Sequence, residues 1–219
     1  MQPPSDHLLR TMAAVPVNSY VLDLGCRRGR HIQPLLRLGF PVHGCDPSPE
    51  AVEAARRALR ETIDADEAEN CVRVKTLDTI DYPDASFDWV VAYHVEAYAQ
   101  TEEDLSRLLA ETRRMLKPGG WAYVTVPAAP EAAGDEARAA GDGATRPGPE
   151  LSTATPGLAA GATPDSESPP DGLACTIDDL ERHQRRANLA TASAPEVIEE
   201  TGSARLRAIF RRVEPSTAR

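Results

Sequence analysis

Apolar and polar positions along the chain alternate between two periods. Tyr20-Val21-Leu22 reads as a short buried strand, and the turn after it contains Gly25 and Gly29. Over His31 to Leu38 the apolar Ile32, Leu35 and Leu36 recur at helical spacing, with Gly39 where a helix takes a left-handed cap. Pro41 to Cys45 is the next strand. Ser48-Pro49-Glu50 then opens a helix with an N-cap, a first-position proline and an acid in the first turn; Val52, Ala55, Leu59 and Ile63 form its apolar stripe. Val72 to Thr76 alternates like a strand with one wetter face, and Phe87 to Ala92 is a stronger strand, preceded by the turn Pro83-Asp84-Ala85-Ser86. Thr101 to Asp104 resembles a capping box. The helix it starts carries Leu105, Leu108, Leu109, Thr112, Met115 and Leu116 on one side, and Lys117-Pro118-Gly119-Gly120 stops it before a strand over Trp121 to Val126.

Strands alternating with amphipathic helices at this pitch predict a mostly parallel sheet covered on both faces. The pattern breaks after that last strand. Residues 128–171 are mostly Ala, Gly, Pro, Asp, Glu, Ser and Thr without a period, with few large apolar residues, and a disordered insertion is expected there. Order resumes at Thr176-Ile177-Asp178-Asp179-Leu180, a capped helix start. A weak strand follows near Ala190 to Val197, and Ala204 to Val213 sets Leu206, Ala208 and Phe210 against Arg205, Arg207 and Arg211, as a final edge strand with a solvated face would. The expected organisation is a helical N-terminal segment (1–19), a core (20–127), the insertion (128–171) and a C-terminal helix and strands (172–219) completing one domain.

Composition narrows the partners. The chain has 219 residues and a net charge of −10, which argues against a general nucleic-acid binder, because phosphate backbones reward clustered cations. Lys75 and Lys117 are the lysines; almost every cation is arginine. Cys26, Cys45, Cys71 and Cys175 form no C-x-x-C pair and have no histidine cluster at metal-ligand spacing, so free thiols in a reducing cytoplasm are expected and no metal. Met1 to Met12 lacks a secretory pattern, and no apolar run approaches the roughly 20 residues that span a bilayer.

The chemistry concentrates in Val21-Leu22-Asp23-Leu24-Gly25-Cys26-Arg27-Arg28-Gly29-Arg30. A strand runs into a glycine bend at the carboxyl edge of the sheet, where open α/β sheets bind ligands. Asp46 ends the second strand, 21 residues after Gly25, and can accept from the hydroxyls of a ribose. An adenosine-type ligand is implied. In a dinucleotide fingerprint counted from Gly25, Arg27 and Arg30 stand where the second and third glycines belong.

Asp23-Leu24-Gly25-Cys26, Gly29-Arg30, Gly44-Cys45-Asp46-Pro47-Ser48, Leu77-Asp78, Phe87-Asp88-Trp89-Val90-Val91 and Leu116-Lys117-Pro118-Gly119-Gly120 resemble, in order and spacing, the successive motifs of class I S-adenosylmethionine-dependent methyltransferases. The resemblance covers roughly Tyr20 to Pro127. It implies a Rossmann-like α/β methyltransferase fold, a mostly parallel seven-stranded sheet with helices on both faces, and S-adenosylmethionine as cofactor with a small-molecule methyl acceptor. It further implies that Gly25, Cys26 and Gly29 pass under the methionine part, that Asp23 braces that loop and the amino group, and that Asp46, followed by Pro47, holds the ribose. Asp78 would accept from the adenine amino group with the Thr79 N–H nearby. The Ala92 carbonyl would face the sulfonium, leaving Tyr93 and His94 toward the acceptor. Many members have glycine where this chain has Arg27, which either pairs with the carboxylate of the cofactor or with an anionic acceptor, or points into water. His94 is either a general base or a hydrogen-bonded wall of the pocket. Methyl transfer is an in-line displacement helped mainly by alignment, so the absence of a catalytic triad is no objection. Two rivals stay open: a cofactor-binding pseudoenzyme acting as an interaction module, and a nicotinamide-dependent oxidoreductase.

Overall fold

The computed structural model describes residues 3–130, 173–200 and 202–213. The expected insertion, apart from its first residues 128–130, lies outside them. Described elements in chain order are α1 (Asp6–Met12), β1 (Val21–Leu24), α2 (Ile32–Arg37), β2 (Val42–Asp46), α3 (Pro49–Leu59), α4 (Ala65–Cys71), β3 (Val72–Val74), β4 (Phe87–Ala92), α5 (Glu102–Met115), β5 (Leu116–Pro127), α6 (Ile177–Arg186), β6 (Leu189–Glu200) and β7 (Ser203–Arg212).

Seven strands form one sheet in the order β3-β2-β1-β4-β5-β7-β6. The first five are parallel, and β7 runs antiparallel to both β5 and β6. With helices on both faces this is the Rossmann-like arrangement anticipated from the alternation. Strands are added outward from β1 first through β2 and β3 and then, on its other side, through β4 and β5, so the strand order reverses between β1 and β4. A crevice forms at such a switch point, at the carboxyl ends of the strands.

Because side chains alternate along a strand, two cores result. One face sends Leu22, Leu24, Val90, Ala92, Ala122 and Val124 against Leu105, Leu108 and Leu109 of α5 and Leu180 of α6. The other sends Val21, Trp89, Val91, Tyr93 and Tyr123 against Leu8 and Met12 of α1, Ile32 and Leu35 of α2, and Val52, Ala55 and Leu59 of α3. Burying one such aliphatic side chain contributes about 1.5–3 kcal/mol, so the stripes recognised in the sequence are what clamp the helices to the sheet.

Helix starts follow their caps. Ser48 accepts from the Ala51 N–H at α3, which has proline at its opening, and Thr176 and Asp179 form a reciprocal box at α6. Two expectations need correction. The arginine-rich strand is not an edge: β7 lies between β5 and β6, and β6 takes the edge. Its two-residue alternation fitted an exposed edge equally well, because the arginines carry their own partners. Arg205 is buried, and Arg207 pairs with Glu196 at 2.7 Å. The segment Lys117-Pro118-Gly119-Gly120 also does not separate helix from strand. It lies inside β5, at an irregularity in the pairing with β4. The short helix α4 had no counterpart in the apolar pattern; Asp64 caps it by accepting from the Glu67 N–H.

Candidate functional site

The site grows from the bend between β1 and α2. Gly25 has φ +75°, and a Cβ there would stand 3.0 Å from the His94 carbonyl oxygen, so this position requires glycine twice over. The Gly25 and Cys26 N–H groups both donate to the Cys45 carbonyl, at 2.9 and 3.1 Å, tying the bend to the end of β2. Gly29 closes the bend by donating to the Cys26 carbonyl at 2.8 Å. Arg27 sits between them at φ 48°, the left-handed region that an L side chain enters only against its own Cβ. This is the position at which glycine is common in the family that the motifs resemble.

Asp46 fastens the bend from the neighbouring strand. One carboxylate oxygen accepts from the Arg27 N–H at 2.9 Å and the other from the Ser48 N–H at 3.0 Å. Each oxygen keeps a second lone pair. Asp46 is buried and Pro47 half-buried, while Arg27 is exposed.

Asp23 is the outlier. Its side chain is fully buried near the carboxyl end of β1, and neither oxygen has a hydrogen-bond partner among the described residues. Burial pushes its carboxyl up to about 7, with Arg30 pulling it down and Asp46 pushing it further up. A buried acid left without donors is costly to a folded chain, and sites where such groups persist are sites of function.

Beyond β4 the loop Tyr93–Glu96 joins a polar chain that crosses three elements. Arg30, just ahead of α2, approaches His94 Nε2 at 3.1 Å and lies 4.8 Å over the Tyr93 ring. Arginine can only donate, so Nε2 accepts and Nδ1 carries the proton. That Nδ1 lies 3.1 Å from Glu96 Oε1. Glu96 is gripped by the Arg205 guanidinium from β7, at 2.9 Å to Oε1 and 2.7 Å to Oε2. Arg205 also donates to the Tyr93 carbonyl at 3.3 Å, an oxygen that the Thr125 hydroxyl bonds as well. Burial pushes His94 down to about 4 against the upward pull of Glu96. Burial alone would raise Glu96, but the hydrogen bonds from His94 and Arg205 bring it down to about 2. Neighbouring His31 is pushed well down, by burial first and then by the positive charge of Arg30.

The structure therefore brings Asp23, Gly25, Cys26, Arg27, Gly29, Asp46, Pro47, Ala92 and His94 to one sheet edge. Ala92 is buried at the end of β4, opposite Val124. Asp78 and Thr79 stand in the single helical turn Leu77–Thr79 after β3. The Asp78 carboxylate is exposed and paired with Arg107, and the Thr79 N–H donates to the Thr76 carbonyl at 3.0 Å. Sequence reasoning quoted Arg30 within the Gly29-Arg30 motif without giving it a role, and missed Glu96 and Arg205. Only the resemblance put His94 in view, and nothing local marks Glu96 or Arg205.

Fold and site together define a Rossmann-like methyltransferase architecture. Residues 22–124 match the model of the methyltransferase domain family. Over 107 residues the chain is 36% identical to a ubiquinone biosynthesis O-methyltransferase of Bradyrhizobium diazoefficiens, covering 48% of this chain and 38% of that protein. The chain thus spans less than half the length of the curated relatives it matches. Among solved structures it resembles a SAM-dependent methyltransferase of Methanosarcina mazei, with TM-score 0.67, 16% identity, and coverage of 98% of this chain and 100% of that one. It also resembles the magnesium protoporphyrin IX methyltransferase of Synechocystis with bound SAM, with TM-score 0.61, 13% identity, and coverage of 94% and 75%. Among the described residues no helix is long and apolar enough to cross a membrane.

Proposed function

We propose that this chain transfers the methyl group of S-adenosylmethionine to a small-molecule acceptor, with residues 20–127 as the cofactor-binding core and 172–219 completing it. The observation that carries this reading is Asp23: a buried carboxyl with no hydrogen-bond donor among the described residues, beside a glycine bend and one strand from Asp46. Such a group fits a ligand that brings a cation and hydrogen-bond donors with it. S-adenosylmethionine supplies an ammonium, a ribose diol and the sulfonium-bound methyl to be transferred.

In this reading Asp23 accepts from the ammonium, and the second lone pairs of Asp46 accept from the ribose. Gly25, Cys26 and Gly29 let the backbone run close beneath the methionine portion, and Pro47 flanks the ribose. Asp78 serves the adenine amino group after turning from Arg107. Thr79 contributes no N–H while that group is bonded to Thr76. The buried end of β4 at Ala92 borders the sulfur. Arg27 offers its backbone N–H to Asp46 and leaves its guanidinium in solvent. His94 is a wall of the pocket, since both its nitrogens are engaged. The four free cysteines support a reducing compartment, and we place the chain in the cytoplasm.

Calorimetric titration with S-adenosylmethionine and with its demethylated product tests this. Saturable heat with both is expected, strongly reduced in Asp23→Asn. Absence of heat in folded wild-type protein would refute the reading.

A further inference from the structure

Resting on that reading, β7 bears on the cofactor as well as on the sheet. The glycine bend belongs to β1 and α2, but another segment closes its outer side. A Cβ on Gly25 would stand 3.0 Å from the His94 carbonyl oxygen and 3.4 Å from the Ala97 Cβ. The turn Val95–Ala97 therefore lies against the backbone that, in the reading above, runs beneath the methionine portion. It is one tight helical turn, in which the Ala97 N–H donates to the His94 carbonyl at 3.0 Å. A single turn of this kind has little stability of its own. Val95 and Tyr98 anchor its inner side in the core.

Arg205 holds the other side. Its side chain is buried, and its guanidinium meets acceptors on three segments. Nη1 and Nη2 donate to the two Glu96 oxygens at 2.9 and 2.7 Å. Nη2 also reaches the Tyr93 carbonyl at 3.3 Å and the Thr125 carbonyl at 3.5 Å, and Nε the Thr125 hydroxyl oxygen at 3.4 Å. Glu96 in turn faces His94 Nδ1 at 3.1 Å. One side chain thus joins the exit of β4, the end of β5 and the turn on the bend. A lysine would keep the charge, but three donors on one nitrogen cannot span that set.

We propose that Arg205 and Glu96 are positioning residues for cofactor binding: their fork seats the turn after β4 on the Gly25 bend. The last strand is then part of the site, although neither residue is placed against the cofactor. The effect acts through populations. An apparent dissociation constant is the intrinsic one divided by the competent fraction, so a turn seated one-tenth of the time weakens binding about tenfold. An ion pair with a purely structural role would stabilise the fold and leave the affinity of folded protein unchanged.

Two variants separate these roles. Arg205→Lys keeps the charge and can still pair with Glu96. Glu96→Gln combined with Arg205→Met removes both charges, strands no ion and keeps an acceptor for His94, so chemical denaturation should find it more stable than Glu96→Gln alone. Calorimetry with S-adenosylhomocysteine, well below each melting temperature, should show about a threefold loss of affinity in Arg205→Lys and about a tenfold loss in the double variant. In ligand-free protein, amide exchange at Ala97 should quicken in the same order, while exchange at Val90 and Val124 follows global stability alone. Affinity that returns with stability in the double variant would overturn the proposal. So would an Arg205→Lys protein that matches the wild type in both affinity and Ala97 exchange. Absence of heat in folded wild-type protein would instead sink the methyltransferase reading, and Ala97 exchange would still report whether the fork seats the turn.

Discussion

Replacing Asp23 with Asn removes one ionisable group and changes little else in shape. Its carboxyl is fully buried and raised from 3.8 to about 7. The folded chain therefore holds a proton that the unfolded chain releases between those values. Where the native state binds more protons, stability falls as pH rises. The wild type should lose stability from about pH 4 to pH 7 on this account and level off above. About three units at ~1.36 kcal/mol each makes the full penalty roughly 4 kcal/mol. A buried amide without partners carries its own cost of about 1–3 kcal/mol at every pH, which offsets part of the gain from Asp23→Asn by a constant amount. Only the carboxyl makes that gain change with pH. Between about pH 5 and pH 8 it should grow by roughly 3 kcal/mol, or about 6–12 °C of melting temperature for a chain this size.

The comparison must be between the two proteins. In the wild type alone, His94, lowered to about 4 by burial, gives a slope of the opposite sign. It accepts a proton on unfolding anywhere between 4 and its usual value of 6.5, so it adds stability as pH rises. The two slopes largely cancel in the wild type, and only the wild-type limb from Asp23 is absent from the variant. Urea unfolding of both proteins, without ligand, at about pH 5, 6, 7 and 8 provides the assay. A stability difference that stays flat across that range would refute the reasoning, because it would mean that the carboxylate is ionised and satisfied in the free protein. With cofactor present the sign reverses, and the wild type should be the more strongly stabilised.

Other substitutions probe the remaining joints of the site. Arg27→Gly should relieve the left-handed strain at φ 48° and, net of the greater chain entropy of glycine, stabilise by up to about 1 kcal/mol in a thermal melt. Its calorimetric affinity for S-adenosylmethionine should be unchanged or tighter, which would end any role of the guanidinium in pairing with the cofactor. Gly25→Ala should cost at least about 1–2 kcal/mol through its positive φ, and its Cβ pressing on the His94 carbonyl should weaken cofactor binding on titration. Glu96→Gln should destabilise by about 3 kcal/mol by stranding the buried Arg205, read by chemical denaturation. Glu96 is held at about 2, against 4.5 unfolded, so it adds stability above 4.5 that disappears as pH falls toward 2. The acid limb of the wild type should accordingly flatten in this variant.

What the residue order determined by itself was local. A strand needs only alternating or continuous apolar residues, a helix start needs a cap, and a left-handed bend needs glycine. From those alone the β1 bend, the carboxylate at the end of β2, the amphipathic stripes of α2, α3 and α5 and the parallel core were readable, along with the type of ligand implied. The rest depended on pairing between distant segments. Nothing near Arg205 says that it will reach a glutamate 109 residues away, nor does Arg30 announce a histidine 64 residues along. The two-residue alternation of β7 is the same for an edge strand and an inner one; only its pairing with both β5 and β6 chose between them. The short α4 escaped because seven residues carry too few apolar positions to show a period. The isolation of Asp23 likewise belongs to the folded state, since whether a carboxylate meets a donor is decided by the surfaces that close around it.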